Sequence, residues 1–200
     1  MSIFCKNIPI DPSLIHEISN FPRDKTVNYA LGDGGGKHTV YNQYIVYQDS
    51  KLNDSISEQD QNELKVLQPL VDKMLEIFKS EHSEVKIDFY QIEHRLYEMD
   101  EKVFQGHIHE DECPYTIICY YKIDSGIRGG ELSLYDKNHP LYFSKTDAYT
   151  EVETHTPASG DVVIFSGYHG VKNLSATADS VKCHQNQRAI LTVFINGGPM

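Results

Sequence analysis

Five consecutive residues, His107-Ile108-His109-Glu110-Asp111, hold the side chains of this 200-residue chain best suited to gripping a metal. They contain the pattern His-x-Asp at 109–111. On an extended strand, residues two apart project from one face, so the His109 imidazole and the Asp111 carboxylate converge on one point. His169, within Gly167-Tyr168-His169-Gly170-Val171, is the candidate third ligand from a later segment. Two imidazoles and one carboxylate on one face leave coordination positions open, which suits a non-haem Fe(II) centre. A lone His-x-Asp is weak in a chain with ten histidines, and a surface or core role fits His109 about as well when it is taken alone. His107 shares the face of His109 and is an alternative ligand or a substrate contact, while Glu110 points away.

These residues need a scaffold of strands. Val85–Tyr97, Val103–His109, Tyr115–Tyr121, Glu131–Tyr135, Thr150–Thr156, Asp161–Phe165 and Ala189–Ile195 read as short strands separated by turns such as Asp124-Ser125-Gly126 and Ser159-Gly160. Earlier in the chain, Asp11-Pro12-Ser13 starts a helix, with Asp as N-cap and Pro at the first helical position. Lys25–Leu31 and Val40–Tyr47 read as strands around the turn Gly32–Gly36, and Lys51–Asn62 as a polar loop. Leu64, Leu67, Val71, Met74, Leu75 and Phe78 recur at helical spacing, with Pro69 marking a kink or a start. Ser57 and Asp60 resemble a capping box ahead of that stripe. Helices followed by a run of strands give an α+β class, mainly β, with a sandwich or barrel as its body.

Composition narrows the partners. A chain of this length is expected to fold as one domain over 1–200, with residues 1–84 as helical and strand support and 85–197 as the core. Apolar content is 40%, no apolar run reaches bilayer length, and the first residues lack a signal-peptide layout. A cytoplasmic protein with no membrane partner is therefore expected. The formal charge of −11, with no cluster of Lys or Arg, argues against nucleic acid. Cys5, Cys113, Cys119 and Cys183 have no paired spacing and read as reduced thiols.

Further motifs follow the His-x-Asp in order: Thr116-Ile117-Ile118-Cys119-Tyr120-Tyr121, then Gly129-Gly130-Glu131-Leu132-Ser133-Leu134. Next come Pro157-x-x-Gly160-Asp161-Val162-Val163-Ile164-Phe165, His169, and Arg188-Ala189-Ile190-Leu191-Thr192. Over residues 90 to 196 this order resembles the Fe(II)/2-oxoglutarate-dependent dioxygenase superfamily, in its prolyl 4-hydroxylase-like branch. The resemblance implies a double-stranded β-helix (jelly roll) with the N-terminal helices packed on the major sheet. It implies His109, Asp111 and His169 as iron ligands, and Arg188 as the partner of the distal carboxylate of 2-oxoglutarate. A guanidinium offers that carboxylate a planar two-donor fork. Thr192 shares the face of Arg188 and adds a hydroxyl donor. Tyr121 matches the family tyrosine that reaches the same carboxylate, Tyr120 then faces the other way, and a one-residue slip exchanges the two. Tyr97 matches a pocket-lining tyrosine, with packing as the alternative.

The gap from His169 to Arg188 is longer than the family's, and its polar insert 175–187 reads as a surface loop whose His184 ranks below His169. What the resemblance implies is C–H hydroxylation using Fe(II), 2-oxoglutarate and O2, with ascorbate as an optional addition. The substrate class is a peptidyl proline or other protein residue, with a free amino acid or other small molecule as the alternative. A nucleic-acid demethylase is a weaker reading, because Phe194 stands where a second Arg would be needed. A non-catalytic jelly-roll binding module would be expected to lack a ligand, and all three are present together with the Arg.

Overall fold

The computed structural model describes residues 3–19, 26–30, 37–41, 45–48, 51–52, 58–98, 108–111, 113–137, 149–173, 176–178 and 187–199. The expected turn Gly32–Gly36, the strand 103–107, His107, Ser57 and His184 lie outside them. Strands dominate. Seven of them form one sheet, in the order β1 (Phe4–Asn7), β11 (Asp161–Phe165), β7 (Tyr115–Ile123), β14 (Gln187–Pro199), β6 (Val85–Glu98), β4 (Ile45–Gln48) and β5 (Lys51–Leu52). All six pairings are antiparallel. A second sheet runs β10 (Tyr149–His155), β9 (Leu132–Lys137), β12 (Gly170–Asn173), again antiparallel. Two further antiparallel pairs, β2 (Thr26–Ala30) with β3 (Lys37–Tyr41) and the sequence-distant β8 (Ile127–Gly129) with β13 (Ala176–Ala178), complete the described strands.

Two helices precede most of the sheet. α1 (Pro12–Ser19) is capped by Asp11, whose Oδ1 accepts both the Ser13 N–H and the Ser13 hydroxyl at 2.8 Å. This satisfies donors that the first helical turn leaves without intrahelical partners. α2 (Glu58–Glu81) carries the apolar stripe Leu64, Leu67, Val71, Met74 and Phe78, every one buried. The helix passes through Pro69 and begins several residues earlier than its apolar stripe, so Glu58–Asn62 is helical, where a loop is expected from its polarity. An amphipathic helix can project polar side chains from its first turns without cost, and polarity alone does not exclude helix there. Among the described residues no helix is long and apolar enough to cross a membrane.

The large sheet is buried on both faces, and alternation decides which side chains go where. Ile117, Cys119 and Tyr121 of β7, Val162 and Ile164 of β11, and Ala189, Leu191, Val193 and Ile195 of β14 cluster with α1 and α2. The intervening Ile118, Tyr120, Val163, Phe165 and Ile190 cluster instead with Leu132, Leu134 and Val171 of the second sheet. An inner space therefore lies between the sheets, and a helix-backed core lies behind the large one. A β-bulge between Ala189 and Leu191 interrupts the β14–β7 register beside Tyr120 and Tyr121.

Two segments differ from expectation. The expected strand Val40–Tyr47 spans the end of β3, paired with β2, and the start of β4, paired with β5 and β6, with residues 42–44 outside the described residues. The insert 175–187 is not wholly a loop, since Ala176–Ala178 pairs with Ile127–Gly129. Phe78 is fully buried and packs edge-on to Tyr115 at 5.1 Å between ring centroids. Phe78→Ala is expected to cost about 3–5 kcal/mol, read from the shift of the urea midpoint at unchanged slope.

Candidate functional site

Within the described residues 108–111, backbone hydrogen bonds hold the His-x-Asp segment. His109 and Val171 exchange both N–H···O bonds, at 3.0 and 2.7 Å, in an isolated antiparallel bridge. Asp111 N–H then donates to the Gly167 carbonyl at 3.0 Å. Segment 108–111 thus runs beside the turn 167–171 that carries His169, pinned on both sides of it. Gly167 and Gly170 permit that closeness. A Cβ at Gly167 would sit 2.5 Å from the Cys113 carbonyl oxygen, and one at Gly170 would sit 2.8 Å from Ile108 Cγ2.

His109 and Asp111 come together: Nε2 lies 3.7 Å from Oδ1, with the imidazole half exposed and the carboxylate nearly buried. The Thr116 hydroxyl donates to Asp111 Oδ2 at 2.7 Å and fixes the carboxylate's orientation. Burial raises the Asp111 pKa, opposed by that hydrogen bond and by the positive fields of His109 and Arg95. A buried carboxylate held in this way gains from a cation beside it. Cys113, 3.4 Å from the Thr116 hydroxyl, remains a thiol because burial pushes it up to about 11.

His169 is placed differently from its expected partners. Its backbone lies opposite the pair, but its Nδ1 meets Asp136 Oδ1 of β9 at 2.9 Å. Consistent with this, the three expected ligand atoms are not gathered within 4.8 Å of one another. Among the described residues, the group of three that meets that distance is Cys5, His155 and Asp161.

Arg188 and Thr192 lie on the inner face of β14, the face of Ile190. The guanidinium is buried, donates through Nη1 to the Gly130 carbonyl at 2.9 Å, and lies over the Tyr120 ring with 5.0 Å to its centroid. Tyr121 is on the opposite face, among the helix-side residues, with its hydroxyl 2.5 Å from His94 Nε2. Tyr120 therefore faces Arg188, and Tyr121, expected on that face, does not. Alternation along β7 is unbroken here, with Ile118 and Tyr120 on one face and Ile117, Cys119 and Tyr121 on the other, and the position of β14 decides which face meets Arg188. Tyr97 is the register partner of Arg188 across β6.

Sequence reading missed two charged residues on the same inner face. Glu93 is the register partner of Thr192, and Arg95 that of Ile190. Glu93 is buried and its Oε1 pairs with Arg95 Nε. Charged residues at alternate positions of a strand flanked by neighbours on both sides were the available signal, since such residues seldom lose water without a partner or a task.

The donor set fits a metal of the Fe(II) class in its chemistry: two imidazoles and a carboxylate on hydrogen-bonded neighbouring segments. The buried guanidinium on the same inner face fits a carboxylate ligand.

By sequence, the chain matches no family model and no curated protein. Solved structures do resemble it. A crystal structure of IDO from Bacillus thuringiensis aligns with 92% of this chain and 83% of its own, at 14% identity and a TM-score of 0.58. An oxidoreductase of the 2OG-Fe(II) oxygenase family from Burkholderia pseudomallei aligns over 94% and 80%, at 17% identity and 0.51. A full-length Neurospora crassa protein in complex with alpha-KG and 5-formyluracil aligns over 98% and 74%, at 13% and 0.52. At such identities the likeness establishes a shared fold, a mainly β architecture of facing antiparallel sheets.

Burial lowers the His94 pKa to about 4, so the folded state keeps this imidazole neutral behind the sheet. The unfolded chain, with an ordinary histidine near ~6.5, binds the proton first. The His94 contribution is whole above about pH 6.5 and is lost as pH falls toward 4, about 3 kcal/mol in all. Urea midpoints of wild type should fall across that window, and those of His94→Gln should fall less.

Proposed function

We propose that this chain is an Fe(II)- and 2-oxoglutarate-dependent dioxygenase that hydroxylates a C–H bond. One observation carries the reading: the His109–Asp111 pair is hydrogen-bonded beside the His169 turn, in a fold whose inner face also buries Arg188. His109, Asp111 and His169 would hold the iron, with His169 leaving Asp136 to complete the set. Arg188, seated on Tyr120, would pair with the distal carboxylate of 2-oxoglutarate, and Thr192 would stand on the same face. Bound iron would supply the oxidising chemistry, driven by O2 and by conversion of 2-oxoglutarate to succinate and CO2. The chain's own work is to fix ligands, orient the co-substrate and keep water from the space between the sheets. Peptidyl proline or another protein residue is the first substrate class, and a free amino acid or small molecule is the second. The whole chain, 1–200, would act as a single domain.

Anaerobic addition of Fe(II) and 2-oxoglutarate to the metal-free protein should produce a weak visible charge-transfer band. His109→Ala should abolish it, and Arg188→Ala should raise the 2-oxoglutarate Kd by roughly 10-fold or more, the worth of a charge-assisted hydrogen bond. No band in wild type, or a band indifferent to both changes, would end the proposal. Tyr120→Leu should also weaken 2-oxoglutarate binding, by removing the surface on which Arg188 rests. Tyr121→Phe should leave that affinity unchanged and lower only stability, since it strips a buried imidazole of its hydroxyl partner. Succinate release with prolyl peptides, free amino acids and methylated oligonucleotides would then select the substrate class.

A further inference from the structure

Away from the His109–Asp111 pair, three side chains from distant parts of the chain meet at the edge of the sandwich. Cys5 lies on β1, the edge strand of the large sheet, and His155 ends β10, the edge strand of the second sheet. Asp161 begins β11, next to β1. The β1–β11 register pairs Asn7 with Asp161 and Cys5 with Val163, so Cys5 and Asp161 share the inner face. His155 reaches that face from across the gap. Its Nε2 is 3.8 Å from Cys5 Sγ and 3.1 Å from Asp161 Oδ2, and all three donor atoms lie within 4.8 Å of one another.

We propose that Cys5, His155 and Asp161 form a second metal site, selective for zinc(II) or another borderline-soft divalent cation, that ties the edges of the two sheets together. The distances fit. Thiolate, imidazole and carboxylate ligands at their usual zinc bond lengths stand roughly 3.3–3.8 Å apart in a tetrahedral site. The donor types also fit, because a thiolate beside an imidazole favours zinc over the oxygen-seeking cations. The carboxylate is already oriented: Asn7 Nδ2 donates to Oδ1 at 2.8 Å, and the Ala158 N–H donates to Oδ2 at 2.9 Å. Such outer hydrogen bonds aim a ligand before the ion arrives. Cys5 is exposed, which gives the ion a route in and leaves a fourth position for water. Partial burial and the charge of Asp161 keep the free Cys5 thiol protonated above its ordinary value, so binding forms a metal–sulfur bond and releases that proton to solvent. A neighbouring contact, the Ile3 N–H on Glu153 Oε2 at 2.7 Å, already joins the start of β1 to β10, and the cation would add a second tie beside it.

Cobalt(II) is the probe. Titrated into reduced, metal-free protein, it should give a near-ultraviolet thiolate-to-cobalt band together with the visible bands of a tetrahedral ion. The thiolate band should appear equally in wild type and in His109→Ala, vanish in Cys5→Ser, and weaken at least 10-fold in affinity in His155→Ala. Cys5→Ser changes an exposed atom and should keep the metal-free melting temperature, so its loss of the band cannot be unfolding. In the His109→Ala background, which removes the other candidate metal pair, zinc should raise the melting temperature, and adding Cys5→Ser should abolish that rise. A wild type without the thiolate band, or a band that survives Cys5→Ser or His155→Ala unchanged, would overturn the site. None of these readouts depends on the dioxygenase reading.

Discussion

The two-residue period of the central strands is the constraint on which the rest depends. In β7, β11 and β14 neither face meets water, so every second side chain is committed to the helix-backed core and every other one to the space between the sheets. Leu191 and Val193 can hold α2 because Arg188, Ile190 and Thr192 are sent the other way. The same rule that anchors the helices delivers a guanidinium to the inner space. A slip of one residue would bury the charge under α2 and turn the apolar row inward, so register is defended by the whole hydrophobic content of the sheet.

The His-x-Asp segment is positioned against that background by a neighbouring turn. Among the described residues, His109 and Asp111 make three backbone hydrogen bonds with the 167–171 turn, and the Thr116 hydroxyl donates to the Asp111 carboxylate. Thr116 stands on β7, so the carboxylate is aimed by the large sheet while its backbone is aligned by the turn. His169 shares the turn but spends its imidazole on Asp136. Under the proposed function, one candidate ligand pair is already together and the third candidate is engaged elsewhere. The cost of assembling such a centre falls mainly on one imidazole rather than on the backbone.

Much of this was legible in the residues themselves. The His-x-Asp spacing, the strands around it and the shared face of Arg188 and Thr192 all follow from a period of two. The apolar stripe of α2 follows from a period of 3.6. Short-range patterns fail where the deciding partner is remote or the ladder is irregular. Tyr120 and Tyr121 obey the alternation of β7, Tyr120 with Ile118 and Tyr121 with Ile117 and Cys119, but which of those two faces meets Arg188 depends on the partner strand. Phe4–Asn7 carries too little alternation to be read as a strand, and it exists because β11 offers an edge. Cys5 lies 150 residues from His155, and neither side chain stands out until the two sheet edges meet around Asp161. Glu93 and Arg95 did leave a trace, as charges on a strand that turns out to have neighbours on both sides.

The closeness of Gly167 and Gly170 to segment 108–113 has a further consequence. Because the two stretches approach to bare van der Waals contact there, the width of the gap between the histidine turn and the His-x-Asp segment is set by the lack of two methyl groups. Any larger residue at either position would act as a spacer, pushing the turn away from the His-x-Asp segment while leaving His109, Asp111 and His169 chemically intact. On the proposed function, drift or engineering at these glycines would therefore act on the centre by geometry alone, in a chain that still carries every residue a sequence motif would require.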